Sequence, residues 1–276
     1  MSSARVAGVP CAAYIRSRGL RGPVAEGSAI DSLKLGQHIS QEFDEELDDI
    51  RNRVMTMGGV VEKQLDDGLR ALVHGDSELG QQVIAGDYRV NSLEVEVDEE
   101  CTRLIARRQP TASDLRIVVT IIKTITDLER IGDEAEKLGR FAIEIADEGG
   151  QPDHSMLVGI QHLGDHVRRM LHDTLDVFAR LDAENALRVA GEESKIDQEY
   201  DGVVRQLITH MMEDPRSTRA VLSVLWCARA LERVGDHARN ICEYVVYMVE
   251  GKDIRHTSLE QASKDLRSHA SGGDGT

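Results

Sequence analysis

The same hexapeptide pattern occurs twice in this chain, and each time it is embedded in the same longer pattern. Leu128-Glu129-Arg130-Ile131-Gly132-Asp133 returns 103 residues later as Leu231-Glu232-Arg233-Val234-Gly235-Asp236. Val61, Leu65, Leu69 and Leu72 return 106 residues on as Val167, Leu171, Leu175 and Phe178, and Val90-Asn91 returns at the same offset as Ile196-Asp197. The break at Arg108-Gln109-Pro110 returns 105 residues on as Glu213-Asp214-Pro215. A loop shortened by a few residues accounts for the drift. A repeat of this period must fold as two copies of one unit.

The unit is helical. Phe43, Leu47, Ile50, Val54, Met57, Val61, Leu65, Leu69 and Leu72 step by three or four residues along one helix face. Asp76 or Ser77 caps a second helix carrying Leu79, Val83, Val90, Leu93, Val97, Cys101 and Leu104, which Pro110 ends because it has no N–H to donate. A third helix runs from about Ala112 to Asp147 and stops at Gly149-Gly150. The pattern predicts an all-α fold, a tandem repeat of two up-down-up three-helix bundles. The expected divisions are a flexible arm over 1–36, one bundle over 37–149, a linker over 150–156, a second bundle over 157–252 and a flexible tail over 253–276. The first 25 residues carry arginines but no continuous apolar core, so no secretory signal is expected.

Composition excludes several classes. Aromatic residues make up 3% of the chain and there are five prolines, which weighs against a β-sandwich. A net charge of −16 argues against a nucleic-acid partner. No apolar run approaches the ~18–20 residues of a membrane span. The four cysteines form no CxxC pair and read as reduced thiols in a cytoplasmic protein.

Chemistry concentrates in the repeated carboxylates. Glu129 and Asp133 lie one helical turn apart, about 40° around the axis, so both side chains can converge on one point. Glu232 and Asp236 do the same. Helical phase places each pair on the shoulder of the packed face, whereas Arg116, Lys123, Asp127 and Glu134 fall on the opposite, solvated face. Crowded acids that lose hydration must raise a pKa or recruit a cation. Arg130 and Arg233 project about 100° away and read as poor counterions. His237, equally offset from Asp236, reads as a surface or interface residue. Further ligands are expected from the neighbouring helix: Asp87, Asn91, Glu94 and Asp98 in the first repeat, with Glu193, Asp197 and Asp201 as counterparts in the second. Such oxygen ligands suit a divalent or trivalent ion, Mg, Mn or Fe ahead of Zn. Gly132 and Gly235 each cost a helix roughly 1 kcal/mol against Ala, which marks a place of close approach.

These residues resemble the paired signature of the PhoU family, the phosphate-specific transport system accessory proteins. The resemblance also rests on Val97-Asp98-Glu99-Glu100-Cys101, Arg108-Gln109-Pro110, Met212-Glu213-Asp214-Pro215 and Val249-Glu250-Gly251-Lys252-Asp253-Ile254-Arg255-His256, and it extends over about 40–256. It implies two three-helix bundles, a cytoplasmic homodimer, and metal sites at Glu129, Asp133, Glu232 and Asp236. It further implies a negative regulator of phosphate uptake and of the phosphate-starvation response, with the phosphate ABC transporter ATPase and a membrane sensor histidine kinase as partners. The arm before residue 40 departs from the family pattern.

Two other readings stay open. A di-iron oxidase would need Glu-x-x-His, but only Asp253-x-x-His256 comes near. No nucleophile motif and no GxxxxGK[ST] loop is present, so catalysis is not expected. A metal-free structural bundle with solvated acids is the other alternative.

Overall fold

A computed structural model describes residues 41–147, 154–255 and 257–264. The arm over 1–36, residues 150–153 of the expected linker, and the tail beyond 264 lie outside the described residues. All described elements are helical. In the first repeat they are α1 (Gln41–His74), α2 (Ser77–Arg108) and α3 (Ala112–Asp147). In the second they are α4 (His154–Arg180), α5 (Ala183–Ala190), α6 (Glu193–Glu213), a 3-10 turn (Pro215–Ser217) and α7 (Thr218–Glu250). No described helix is long and apolar enough to cross a membrane.

The helix ends have local causes. Asp76 accepts a hydrogen bond from the Leu79 N–H at 2.9 Å and so caps α2. Gln109 adopts a left-handed conformation at φ 47° and its N–H closes on Ile105 O, after which Pro110 prevents continuation. Gly251 ends α7 at φ 72°, donating to Tyr247 O. The second helix of the second repeat departs from its counterpart. It breaks at Gly191-Glu192, where 3-10-type bonds such as Glu192 N to Val189 O replace the helical ladder.

Every residue of the first apolar stripe, Phe43 to Leu72, is buried, as are Val167, Leu171, Leu175 and Phe178. Each such side chain contributes roughly 1.5–3 kcal/mol. Cys101, Cys227 and Cys242 are free, buried thiols. Burial pushes the Cys101 thiol up to about 12, which leaves it inert.

The repeats pack against each other along two antiparallel seams, α1 on α4 and α3 on α7. The first seam has approximate two-fold symmetry. A Cβ at Gly58 would meet the Leu175 methyl at 2.5 Å, and one at Gly164 would meet the Leu69 methyl at the same distance. Each glycine is a hole for the other repeat's leucine. Polar pairs follow the same symmetry: Glu62 with His172 at 2.9 Å, and Asp66 with Arg168 at 2.5 Å.

The tail differs from its sequence reading between 253 and 264. Ile254 and Ala262 are buried and Leu259 packs on the core beside Gly191.

His172 gives the seam a pH dependence. The hydrogen bond to buried Glu62 holds its pKa above the ordinary 6.5, with burial opposing the shift. Its stabilisation is fully present below pH 6.5 and is lost as pH rises through the elevated folded value. Wild-type melting temperature is expected to fall relative to His172→Gln over that window. Parallel thermal melts across neutral pH check this; coincident pH profiles would remove His172 as the cause.

Candidate functional site

In the second repeat, Glu193 and Asp197 of α6 face Asp236 of α7, and one ligand oxygen of each lies within 4.8 Å of the others. Glu232, one turn before Asp236, is 8% exposed, and its Oε2 is fully buried without a hydrogen-bond partner. A buried, unpartnered carboxylate oxygen beside three converging acids is a costly arrangement unless a cation sits there. Glu193, Glu232 and Asp236 all have pKa values raised first by burial; Asp236 adds to the rise for Glu232, and Asp197 for Asp236. Gly235 lets α6 come this close, since a Cβ there would sit 3.3 Å from two atoms of Ile196. The donor set fits a hard cation.

The first repeat builds a looser version. Asp87 is buried and held by Gln64 Nε2 at 3.2 Å and Asn91 Nδ2 at 2.9 Å. Gln64 Oε1 is buried without a partner. Glu94, Glu129 and Asp133 have pKa values raised first by burial, and Asp133 and Glu94 both add to the rise at Glu129. Asp98 is exposed and adds to the rise at Glu94. A Cβ at Gly132 would lie 3.2 Å from Val90 and 3.4 Å from Asp87 Oδ1, so here too glycine admits the ligand helix.

Some expected residues fall elsewhere. Asp201 is exposed and stands outside the triad, which takes Glu193 instead. The repeat offset explains this: Asp87 and Asn91 correspond to Glu193 and Asp197, whereas Asp201 corresponds to exposed Val95. Glu94 corresponds to Tyr200, over which Arg229 lies at 5.9 Å.

The expectation that Arg130 is a poor counterion is overturned. Its guanidinium lies 3.6 Å from Glu129 and 3.7 Å from Asp133, because a long side chain recovers the angular offset of its Cα. In the second repeat Arg229 pairs with Glu232 at 2.5 Å, and Arg239 joins Glu193 at 3.1 Å to Glu243 at 3.0 Å. Arg229 was legible as the residue three before Glu232 on the same helix.

The expected solvated face of α3 is a second correction. Asp127 and Glu134 are buried, because α7 covers that face. Asp127 accepts from His237 Nδ1 at 2.6 Å and Asn240 Nδ2 at 3.1 Å, and Arg233 reaches Glu134 at 3.1 Å. Arg116 and Lys123 lie over the rings of Tyr247 and Tyr244. His237 is thus an interface residue.

Comparison with known proteins fits this architecture. The PhoU domain profile matches twice, over residues 54–142 and 160–245. The chain is 52% identical to the phosphate-specific transport system accessory protein PhoU of Escherichia coli strain K12, over 86% of this chain and 97% of that one. It is 50% identical to the Pseudomonas putida homolog, over 87% and 93%. The crystal structure of PhoU from Pseudomonas aeruginosa superposes with a TM-score of 0.73 at 50% identity, covering 76% of this chain and all of that one. The phosphate transport system regulatory protein PhoU from Streptococcus pneumoniae superposes at 0.70 with 29% identity, over 76% and 98%.

Proposed function

The chain belongs to the PhoU domain family, and from that premise we propose that it is an accessory protein of phosphate transport that binds metal and represses the phosphate-starvation response. The observation that carries the phosphate role is the 52% identity to the Escherichia coli accessory protein over 97% of its length. The relatives are named accessory or regulatory proteins, and the chain is read as a non-enzyme adaptor acting in the cytoplasm as a homodimer. It binds the phosphate ABC transporter ATPase and a membrane sensor histidine kinase when phosphate is plentiful. To silence the kinase it must bind the inactive state more tightly than the active one.

The metal part of the reading rests on the second-repeat acids. A bound cation (Mg, Mn or Fe ahead of Zn) would supply the positive charge they lack. Glu193, Asp197, Glu232 and Asp236 would hold it in the second repeat, and Glu94, Glu129 and Asp133, with Asn91 and Asp98 at the edge, in the first. Arg229 and Arg239 must then give up Glu232 and Glu193. Those same guanidinium partners favour a second reading, in which arginines alone neutralise the acids and the bundle is metal-free.

A pull-down from cells at high phosphate, with elemental analysis of the same sample, tests both parts. The expected result is recovery of the ATPase and kinase with metal-loaded protein. A clean apo protein in that sample would favour the metal-free adaptor, and a deletion strain with unchanged phosphate-responsive expression would refute the regulatory role.

A further inference from the structure

The second-repeat acids lie beside a cluster of ion-paired arginines. An open cleft of about 620 Å³ is lined by four arginines, Arg229, Arg233, Arg239 and Arg255, together with His237 and Asn240. Two carboxylates, Asp236 and Glu243, share its lining. Gathering four guanidiniums at one place is notable in a chain of net charge −16.

Each guanidinium is braced by an acid. Glu134 and Glu243, 3% and 5% exposed, lie under Arg233 and Arg239, and Glu232 lies under Arg229. Asp253 accepts from two nitrogens of Arg255. In these pairs each arginine commits one or two of its five N–H groups, so donors remain for a ligand. Arg229, Arg233 and Arg239 are fixed by buried acids and Arg255 by an exposed one, and the planar fork suits bidentate contact with tetrahedral oxyanions. Asn240 and His237 are themselves fixed, both bonding to Asp127 across the seam between repeats.

We infer that this cleft binds a phosphoryl oxyanion, as free inorganic phosphate or as the terminal group of a phosphomonoester. The inference goes beyond the metal reading and does not depend on it.

Isothermal titration of the full chain, stripped of metal on a chelating resin, tests it with two probes, inorganic phosphate and phenyl phosphate. Saturable binding of either is expected, weakened about ten-fold or more in Arg255→Gln and Arg233→Gln, as befits loss of a charge-assisted hydrogen bond. Tighter binding of phosphate assigns the cleft to the free ion, and tighter binding of phenyl phosphate assigns it to a phosphomonoester. Arg255→Gln keeps the bundle intact, since Arg255 is half-exposed and pairs with Asp253 outside the helices. In Arg233→Gln, Glu134 retains Lys137 at 2.8 Å. No saturation by either probe, or affinities unchanged in both variants, would overturn the inference while leaving the metal reading standing.

Discussion

Replacing Gly139 with valine is expected to destabilise the protein by roughly 3 kcal/mol, the upper part of the range for overpacking. Helices α2 and α3 cross with Gly80 against Gly139. A Cβ at Gly139 would sit 2.8 Å from Gly80 O, and one at Gly80 would sit 2.7 Å from Gly139 O. Both obstacles are backbone carbonyls inside long helices, which cannot rotate aside as a side chain can. Val83 crowds the same spot, with its Cβ 3.1 Å from the added atom at Gly139. The intrinsic helix gain on leaving glycine, about 1 kcal/mol or less, is too small to offset this. Gly86 provides the control: a Cβ there meets nothing within 4 Å, so Gly86→Ala should stabilise by up to about 1 kcal/mol. Urea denaturation followed by far-UV circular dichroism reads both. Equal midpoints for wild type and Gly139→Val would show that the helix crossing yields easily.

The double substitution Glu232→Gln with Asp236→Asn is expected to weaken cation binding at the second repeat by about 100-fold or more, since it removes two ligand charges where loss of a mere supporting contact costs 10–100-fold. The amides keep the shape and remove the repulsion. Burial holds both carboxyls above their ordinary pKa values, with the charge of Asp236 adding to the rise at Glu232 and that of Asp197 to the rise at Asp236, so the fold disfavours their ionised forms. The metal-free variant should therefore melt no lower than metal-free wild type at neutral pH. The Arg229 pair that is lost is half-exposed on the arginine side and contributes little. Melts with and without Mn²⁺ separate the outcomes. A variant that still gains as much from Mn²⁺ as wild type would place the ion elsewhere.

Much of the architecture was legible because it depends on periodicity. The stripe from Phe43 to Leu72, the Asp76 cap and the stop at Gln109-Pro110 are local features, and the repeat, at an offset of 105–106 residues, carried them into the second half. The same offset relates Gly58 to Gly164 and Leu69 to Leu175, a seam that the pattern held but did not announce. What was not legible depends on contacts between distant segments. Asp127 and Glu134 occupy the polar side of α3 taken alone, and only the docking of α7, bringing His237 and Arg233 across, makes that side an interior. The choice of Glu193 over Asp201 has the same origin: both sit on one helical stripe around Asp197, and the level at which α6 meets Asp236 decides between them.

In the proposed function the acids of each repeat share a cation. A crystal of the full chain grown with Mn²⁺ and measured at the manganese absorption edge tests it most directly. Anomalous density is expected among Glu193, Asp197, Glu232 and Asp236, with Arg229 and Arg239 turned away, and a second peak beside Glu129 and Asp133. Absence of density at both places, with the acids still paired to Arg229, Arg239 and Arg130, would contradict it.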